Sequence, residues 1–200
     1  DLSAIEFEKE IPIMPLRNMV MFPSVVMPVT IGRPSTLKLV NAAYKKKQAI
    51  AVVCQVQGDL DDPGFADLYH VGVIAKILRI FEMPGGNMTV IMQSNGPKIH
   101  LDNITKTIPY LKGTVTAINE NNEEQDSDEF KALTDTCKDL TAKFIDVSEK
   151  LSPDTVFAIK NLDNPEILVN FISSNFPFTV EEKIELLKYD VLKERMYHLI

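Results

Sequence analysis

The spacing of hydrophobic positions changes once along the chain. Up to about residue 118 they fall in short runs or alternate with polar positions, the pattern of strands. From residue 127 they recur every third or fourth position, the pattern of helices. In the first part, Ile11–Leu16 and Met19–Val29 read as extended pieces cut by Pro12, Pro15, Pro23 and Pro28. Proline has no N–H for a ladder, so these pieces belong at edges, strand starts or bulges. Arg33-Pro34-Ser35 opens a helix through about Lys46, with Leu37, Val40 and Tyr44 on one face. Ala49–Gln57, Val71–Phe81, Met88–Gln93, Ile99–Ile104 and Leu111–Ile118 read as further strands. The turn formers from Gly58 to Gly64 mark a loop, and Met83-Pro84-Gly85-Gly86-Asn87 marks a hairpin turn.

Residues 119–126 are polar and acidic with no apolar position, which makes them a linker. The chain therefore divides into a β-rich lobe over 1–118, the acidic linker, and a helical lobe over 127–200. Ser127 caps the first helix of that lobe, and Phe130, Leu133, Cys137, Leu140 and Phe144 share its face. Ser152-Pro153 and Asn164-Pro165-Glu166 each open another helix, the latter followed by Ile167, Leu168, Phe171 and Ile172. Thr179 and Glu182 have capping-box spacing and open the last helix. No stop signal follows, and the chain ends on apolar Leu199-Ile200. That ending predicts a chain cut inside a helix of a longer protein.

Composition removes several function classes. A hydrophobic fraction of 45% and a charged fraction of 24% are ordinary for a soluble globular chain. No apolar run is long enough for a membrane span, and DLSAIEFEKE is not a signal peptide. Cys54 sits in the apolar run AIAVVCQV, far in sequence from Cys137, so a buried thiol is the better reading than a bridge; one disulfide stays open. A cytoplasmic protein is expected. Residues 1–118 carry 12 Lys+Arg against 10 Asp+Glu, a net of +2, and residues 119–200 carry 9 against 18, a net of −9. An acidic second half argues against a nucleic-acid surface there.

Catalytic signatures are absent. No glycine precedes a lysine, which excludes a GxxxxGK[ST] phosphate loop, and neither GxSxG nor HExxH occurs. His70, His100 and His198 each lack a second ligand at i+3 or i+4. Lys45-Lys46-Lys47 is the one basic run, and without interleaved aromatics it reads as a solvated helix end rather than a nucleic-acid contact. Methionine is the informative excess, with seven of eight between residues 14 and 92. Met92 belongs to a core, whereas Met83 and Met88 flank a hairpin turn and could offer an adaptable apolar patch to unfolded polypeptide. Met83, Pro84 and Met88 are therefore the candidate substrate-binding residues.

Several segments, in order, resemble the N-terminal domain of Lon, the ATP-dependent protease La. Met14-Pro15-Leu16-Arg17-Asn18-Met19-Val20-Met21-Phe22-Pro23 is similar to the family's LPLRxxVLFP start. Pro28–Ser35, Asp67–Ile77 (DLYHVGVIAKI), Met83–Val90, Pro109-Tyr110-Leu111 and Glu182–Leu187 resemble later family segments. Val73 departs from the usual threonine, and Gln93–Lys98 departs from the family's glycine-then-basic segment. The resemblance implies an α+β fold: a PUA-like, partly closed β-barrel lobe with one or two helices, then an all-helical lobe. It implies structural roles for Arg17, Pro23, Gly32, Arg33, Asp67, Tyr69 and Gly72. Arg17 is expected to tie the first strand to the barrel, with Asp67 as its candidate partner. The implied role is recognition of unfolded or tagged proteins and help with ring assembly, as a homo-oligomer and in the parent a hexamer. The implied partners include the protein's own ATPase and Ser–Lys peptidase modules. ATP and magnesium would belong to that missing ATPase module; this chain is expected to hold no cofactor or metal and to catalyse nothing itself. Two rival readings are a stand-alone substrate receptor with the same fold and a PUA-like RNA-binding module.

Overall fold

The computed structural model describes residues 10–94, 96–119, 125–147, 157, 159 and 161–200. Residues 120–124 of the linker and the expected Ser152-Pro153 helix start lie outside the described residues. The chain falls into two compact units, Asp1–Asn119 and Glu120–Ile200. Among the described residues no helix is long and apolar enough to cross a membrane.

Seven strands build the first unit: β1 (Ile11–Leu16), β2 (Val26–Ile31), β3 (Ile50–Gln55), β4 (Leu68–Glu82), β5 (Met88–Gln93), β6 (Lys98–Lys106) and β7 (Lys112–Ile118). One helix, α1 (Pro34–Lys46), lies between β2 and β3. Strand β3 pairs with β1 in parallel and β4 in antiparallel fashion. Strand β7 joins β1 to β6, and β6 pairs back onto β4 at Val71↔His100, Gly72↔Ile99 and Val73↔Lys98. Strands β4, β3, β1, β7 and β6 thus close into a ring, which removes their free edges. Its core includes Ile13, Ala51, Val53, Ile74, Ile99, Leu101 and Val115, all buried. Burying each large aliphatic side chain contributes about 1.5–3 kcal/mol.

Strand β4 is 15 residues long and serves two sheets. Its first half lies in the ring; from Lys76 it pairs with β5 instead. A register shift between Ile77 and Arg79 marks the departure, since a bulge bends and twists its strand. Strand β2 adds to the far side of β5 and forms the sheet's edge. Gly72 shows why glycine follows Val71: a Cβ there would meet the Val52 carbonyl oxygen at 2.2 Å.

Two readings from periodicity need correction here. The stretch from Met19 to Val25 is not a strand: Asn18 and Ser24 take positive φ, and Val20, Met21, Phe22 and Pro23 pack inward as irregular chain. Helix α1 buries Thr36, Leu39, Val40 and Ala43, while Leu37 is half-buried and Tyr44 is exposed. The small Ala43 side chain permits a close approach that a tyrosine ring would block.

The second unit contains α2 (Asp128–Val147), α3 (Pro165–Asn175), α4 (Val180–Lys188) and α5 (Leu192–Leu199). Phe130, Leu133, Cys137, Leu168, Val169, Ile172, Leu192 and Met196 share its core. Helix α2 buries Phe130, Leu133, Cys137 and Ile145, leaving Leu140 at the exposed margin and Phe144 stacked on Phe176 with ring centroids 4.1 Å apart. The expected caps at Ser127, Asn164 and Thr179 form. Ser127 Oγ accepts from Phe130 N at 3.1 Å, Asn164 Oδ1 accepts from Glu166 N and Ile167 N, and Thr179 and Glu182 complete a capping box. The helix opened by Thr179 does not run to the end, however. It stops at Lys188, and α5 begins after Val191. Arg195, fully buried, donates to Asn170 Oδ1 at 2.7 Å and to the Tyr189 carbonyl at 3.3 Å. The carbonyl freed at the break is thereby satisfied by a side chain instead of a continuing helix. Cys54 and Cys137 are both buried and form no disulfide, and burial pushes the Cys137 thiol up to about 11.

Candidate functional site

Strands β2, β5 and the outer half of β4 make a three-stranded arm, and its register decides which side chains face out. Successive residues of a strand point to opposite faces. Val29, Ile31, Val90 and Met92 are buried on the inner face, with Met88 half-buried beside Ile31 in register. The outer face takes the alternate positions. Phe81 pairs with Thr89 and Thr89 with Thr30; Arg79 pairs with Ile91 and Ile91 with Pro28; Val26 pairs with Gln93. The Thr30 and Thr89 hydroxyls lie 3.4 Å apart, as neighbours on one face must. Phe81 is 48% exposed, Val26 53% and Met83 46%. Apolar side chains thus lie on the outer face at Val26, Pro28, Ile91 and Phe81, interspersed with Thr30, Thr89, Arg79 and Gln93, with Met83 at the tip.

The tip itself is a short 3-10 turn, Pro84–Gly86, in which Gly85 and Gly86 both take φ of 83°. That left-handed region suits glycine. Of the three expected binding residues, Met83 and Pro84 are exposed there, whereas Met88 faces inward and is half-buried. Phe81, Val26 and Ile91 were missed from sequence. Alternation within MTVIMQ and the aromatic two residues before Met83 carried the signal, but only the pairing register shows that they share a face.

Just after the ends of β1 and β2, two arginines grip the loop after β3. Arg17 donates to Asp61 Oδ1 at 2.6 Å, and both groups are exposed, at 37% and 83%. The expected partner Asp67 is corrected by this contact. The Asp67 carboxylate instead accepts from Gly64 N at 2.9 Å and closes its own turn. Arg33 is the stronger tie. It donates to Gln55 Oε1 at 2.6 Å, to the Pro15 carbonyl at 3.1 Å and to the Asp61 carbonyl at 3.3 Å, joining β1, β3 and the loop. Burial, and then neighbouring Arg17, push the Arg33 guanidinium down from its ordinary value, and it stays charged. Gln55 is buried at the end of an apolar run and bonds the Gln57 and Leu60 carbonyls, so it completes this anchor. Gly32 lies beside it, where a Cβ would press on Asn87 Oδ1 at 2.6 Å. Pro23 is buried, and Tyr69 is half-buried at the start of β4.

Among the described residues no three His, Cys, Asp or Glu converge as metal ligands. His100 Nδ1 lies 2.9 Å from Asp102 Oδ1, and Thr116 donates to Asp102 Oδ2 at 2.6 Å. The Thr116 bond, then His100, hold the Asp102 carboxyl below its ordinary value. His70 stacks on Phe65 with centroids 4.0 Å apart. Both histidines are occupied by structural neighbours.

Comparison with known proteins agrees with the architecture. The family described as the ATP-dependent protease La (LON) substrate-binding domain matches residues 10–200. The chain is 45% identical over 190 residues to the Lon protease of Parabacteroides distasonis, covering 95% of this chain and 23% of that protein. It is 37% identical over 195 residues to the Lon protease of Flavobacterium johnsoniae, covering 98% and 24%. It thus spans about a quarter of the length of these curated relatives. The solved N-terminal domain of the Mycobacterium avium complex Lon protease superposes with a TM-score of 0.75 at 20% identity, covering 96% of each chain. The Lon N-terminal domain protein from Xanthomonas campestris gives 0.61 at 12% identity, again covering 96% of each. The chain belongs to the substrate-binding domain family of Lon, the ATP-dependent protease La.

Proposed function

We propose that this domain holds unfolded or damaged polypeptide on the outer face of its β2–β5–β4 arm. The observation that carries the reading is the exposure of Val26, Phe81 and Met83 on one side of the arm, with Pro28 and half-buried Ile91 between them. Exposed apolar surface of that kind costs solvation unless a partner covers it. Its Met and Phe side chains suit partners of varied sequence. In the parent protein the captured segment passes to an ATPase module that uses ATP and magnesium, and then to a Ser–Lys peptidase module. The domain performs no chemistry itself. Several copies, six in the expected ring, would add avidity to weak individual sites. A cytoplasmic setting accords with two buried cysteines outside any disulfide. The relatives' roughly fourfold greater length favours this reading over a stand-alone receptor. The net charge of −7 weighs against RNA binding.

The test is a titration of a labelled, permanently unfolded protein with the wild-type chain and a Phe81→Ser, Met83→Ser variant. Both positions are exposed, so the fold should survive, which circular dichroism checks. Losing two apolar contacts should weaken binding about tenfold or more. Unchanged affinity in a folded variant would remove the arm from the proposal.

A further inference from the structure

A second feature lies where the C-terminal end of α1 faces the bulged middle of β4. The two enclose a groove of about 730 Å³. Tyr44, Ile77 and Leu78 give it apolar walls, and Tyr44 and Leu78 are 44% and 43% exposed. Lys45, Lys47 and Lys76 stand around the same groove. Among the described residues none of these three ammonium groups has a hydrogen-bonded or ionic partner. Among the described residues no acidic side chain lines the groove. Lys45 belongs to the last turn of α1 and Lys47 is its C-cap, where the helix dipole favours a positive charge. The cations are therefore at home in the free domain, and they leave the groove positive in a chain whose net charge is −7.

An occupant must match both properties, apolar against the walls and anionic at the rim. We propose that this groove docks apolar peptide segments flanked by glutamate or aspartate. This rests on the reading of the domain as a holder of unfolded polypeptide, and it narrows the substrate class. A nucleic-acid strand would supply the charge, but it also wants successive aromatic platforms for its bases, and among the described residues Tyr44 is the one aromatic side chain lining the groove.

Three short fluorescent peptides test the inference, sharing a Leu-Phe-Leu-Ile core and flanked by glutamates, serines or lysines. Anisotropy is read against the wild-type chain, a Lys45→Gln, Lys47→Gln, Lys76→Gln variant, and a Leu78→Ser variant. Exposed ion pairs are individually weak, so the glutamate peptide should bind about three- to tenfold more tightly than the serine peptide. The triple variant should erase that difference and leave the serine peptide unaffected. Leu78→Ser should weaken the glutamate peptide. Capture of the serine peptide with no advantage for glutamate overturns the groove's role and leaves the arm proposal standing. Failure of every peptide, together with failure of the unfolded protein, overturns both. An oligouridine that binds through the same lysines more tightly than the glutamate peptide also overturns the inference, and assigns the groove to nucleic acid.

Discussion

Two arginines that meet the same loop do different work. Arg17 reaches one exposed carboxylate, and such pairs contribute little in water. Arg33 satisfies a buried glutamine and two carbonyls from separate parts of the chain. Replacing Arg33 by alanine leaves Gln55 with an unmet acceptor, and should lower stability by about 2–3 kcal/mol. Replacing Arg17 by alanine should cost below about 1 kcal/mol. Urea midpoints of the two variants check this, and equal losses would mean that Arg33 is not the tie. The sequence marks both arginines through their motif, yet it does not show which loop returns to meet them. Asp59, Asp61, Asp62 and Asp67 lie within one short stretch, and nothing local distinguishes Asp61, which meets Arg17, from Asp67, which does not. Gln55 and Gly72 are clearer cases of hidden cause. Their neighbours come from other segments, and nothing adjacent in sequence explains them.

Element boundaries follow local chemistry where that chemistry is local. Asn164 with Pro165, and Thr179 with Glu182, are caps legible in four residues or fewer, and both form. Thr179→Ala should therefore lower the stability of the helical unit by about 1 kcal/mol, read as a shift in thermal or urea unfolding. A change within error would place α4 under tertiary control alone. The break between α4 and α5 is the opposite case. Lys188-Tyr189-Asp190 contains neither glycine nor proline, and the break is stabilised by Arg195 from beyond it and Asn170 from α3. The face of α1 was similarly decided from outside, by how closely Ala43 can approach its neighbours. Periodicity locates a helix; the surface it meets sets its rotation.

At the level of the molecule, the chain falls into two compact units. Closure of the ring is less visible, because β4 must pair with β3 and β6 at one end and β5 at the other. Those pairings are long-range, and a 15-residue strand with a bulge reads in sequence as one continuous run. The arm exists only because β4 leaves the ring, so the candidate binding face depends on the same hidden topology. The function proposed for it is capture of polypeptide through apolar contact, independent of nucleotide. The most direct measurement titrates the isolated chain, without ATP, against one labelled protein in its native and its permanently unfolded form, at low and at high salt. The account predicts that the unfolded form is bound, the native form is not, and added salt lowers the affinity by no more than the roughly three- to tenfold that the groove's lysines contribute. Equal binding of both forms, or a steep loss with salt of the kind counterion release produces, would contradict it.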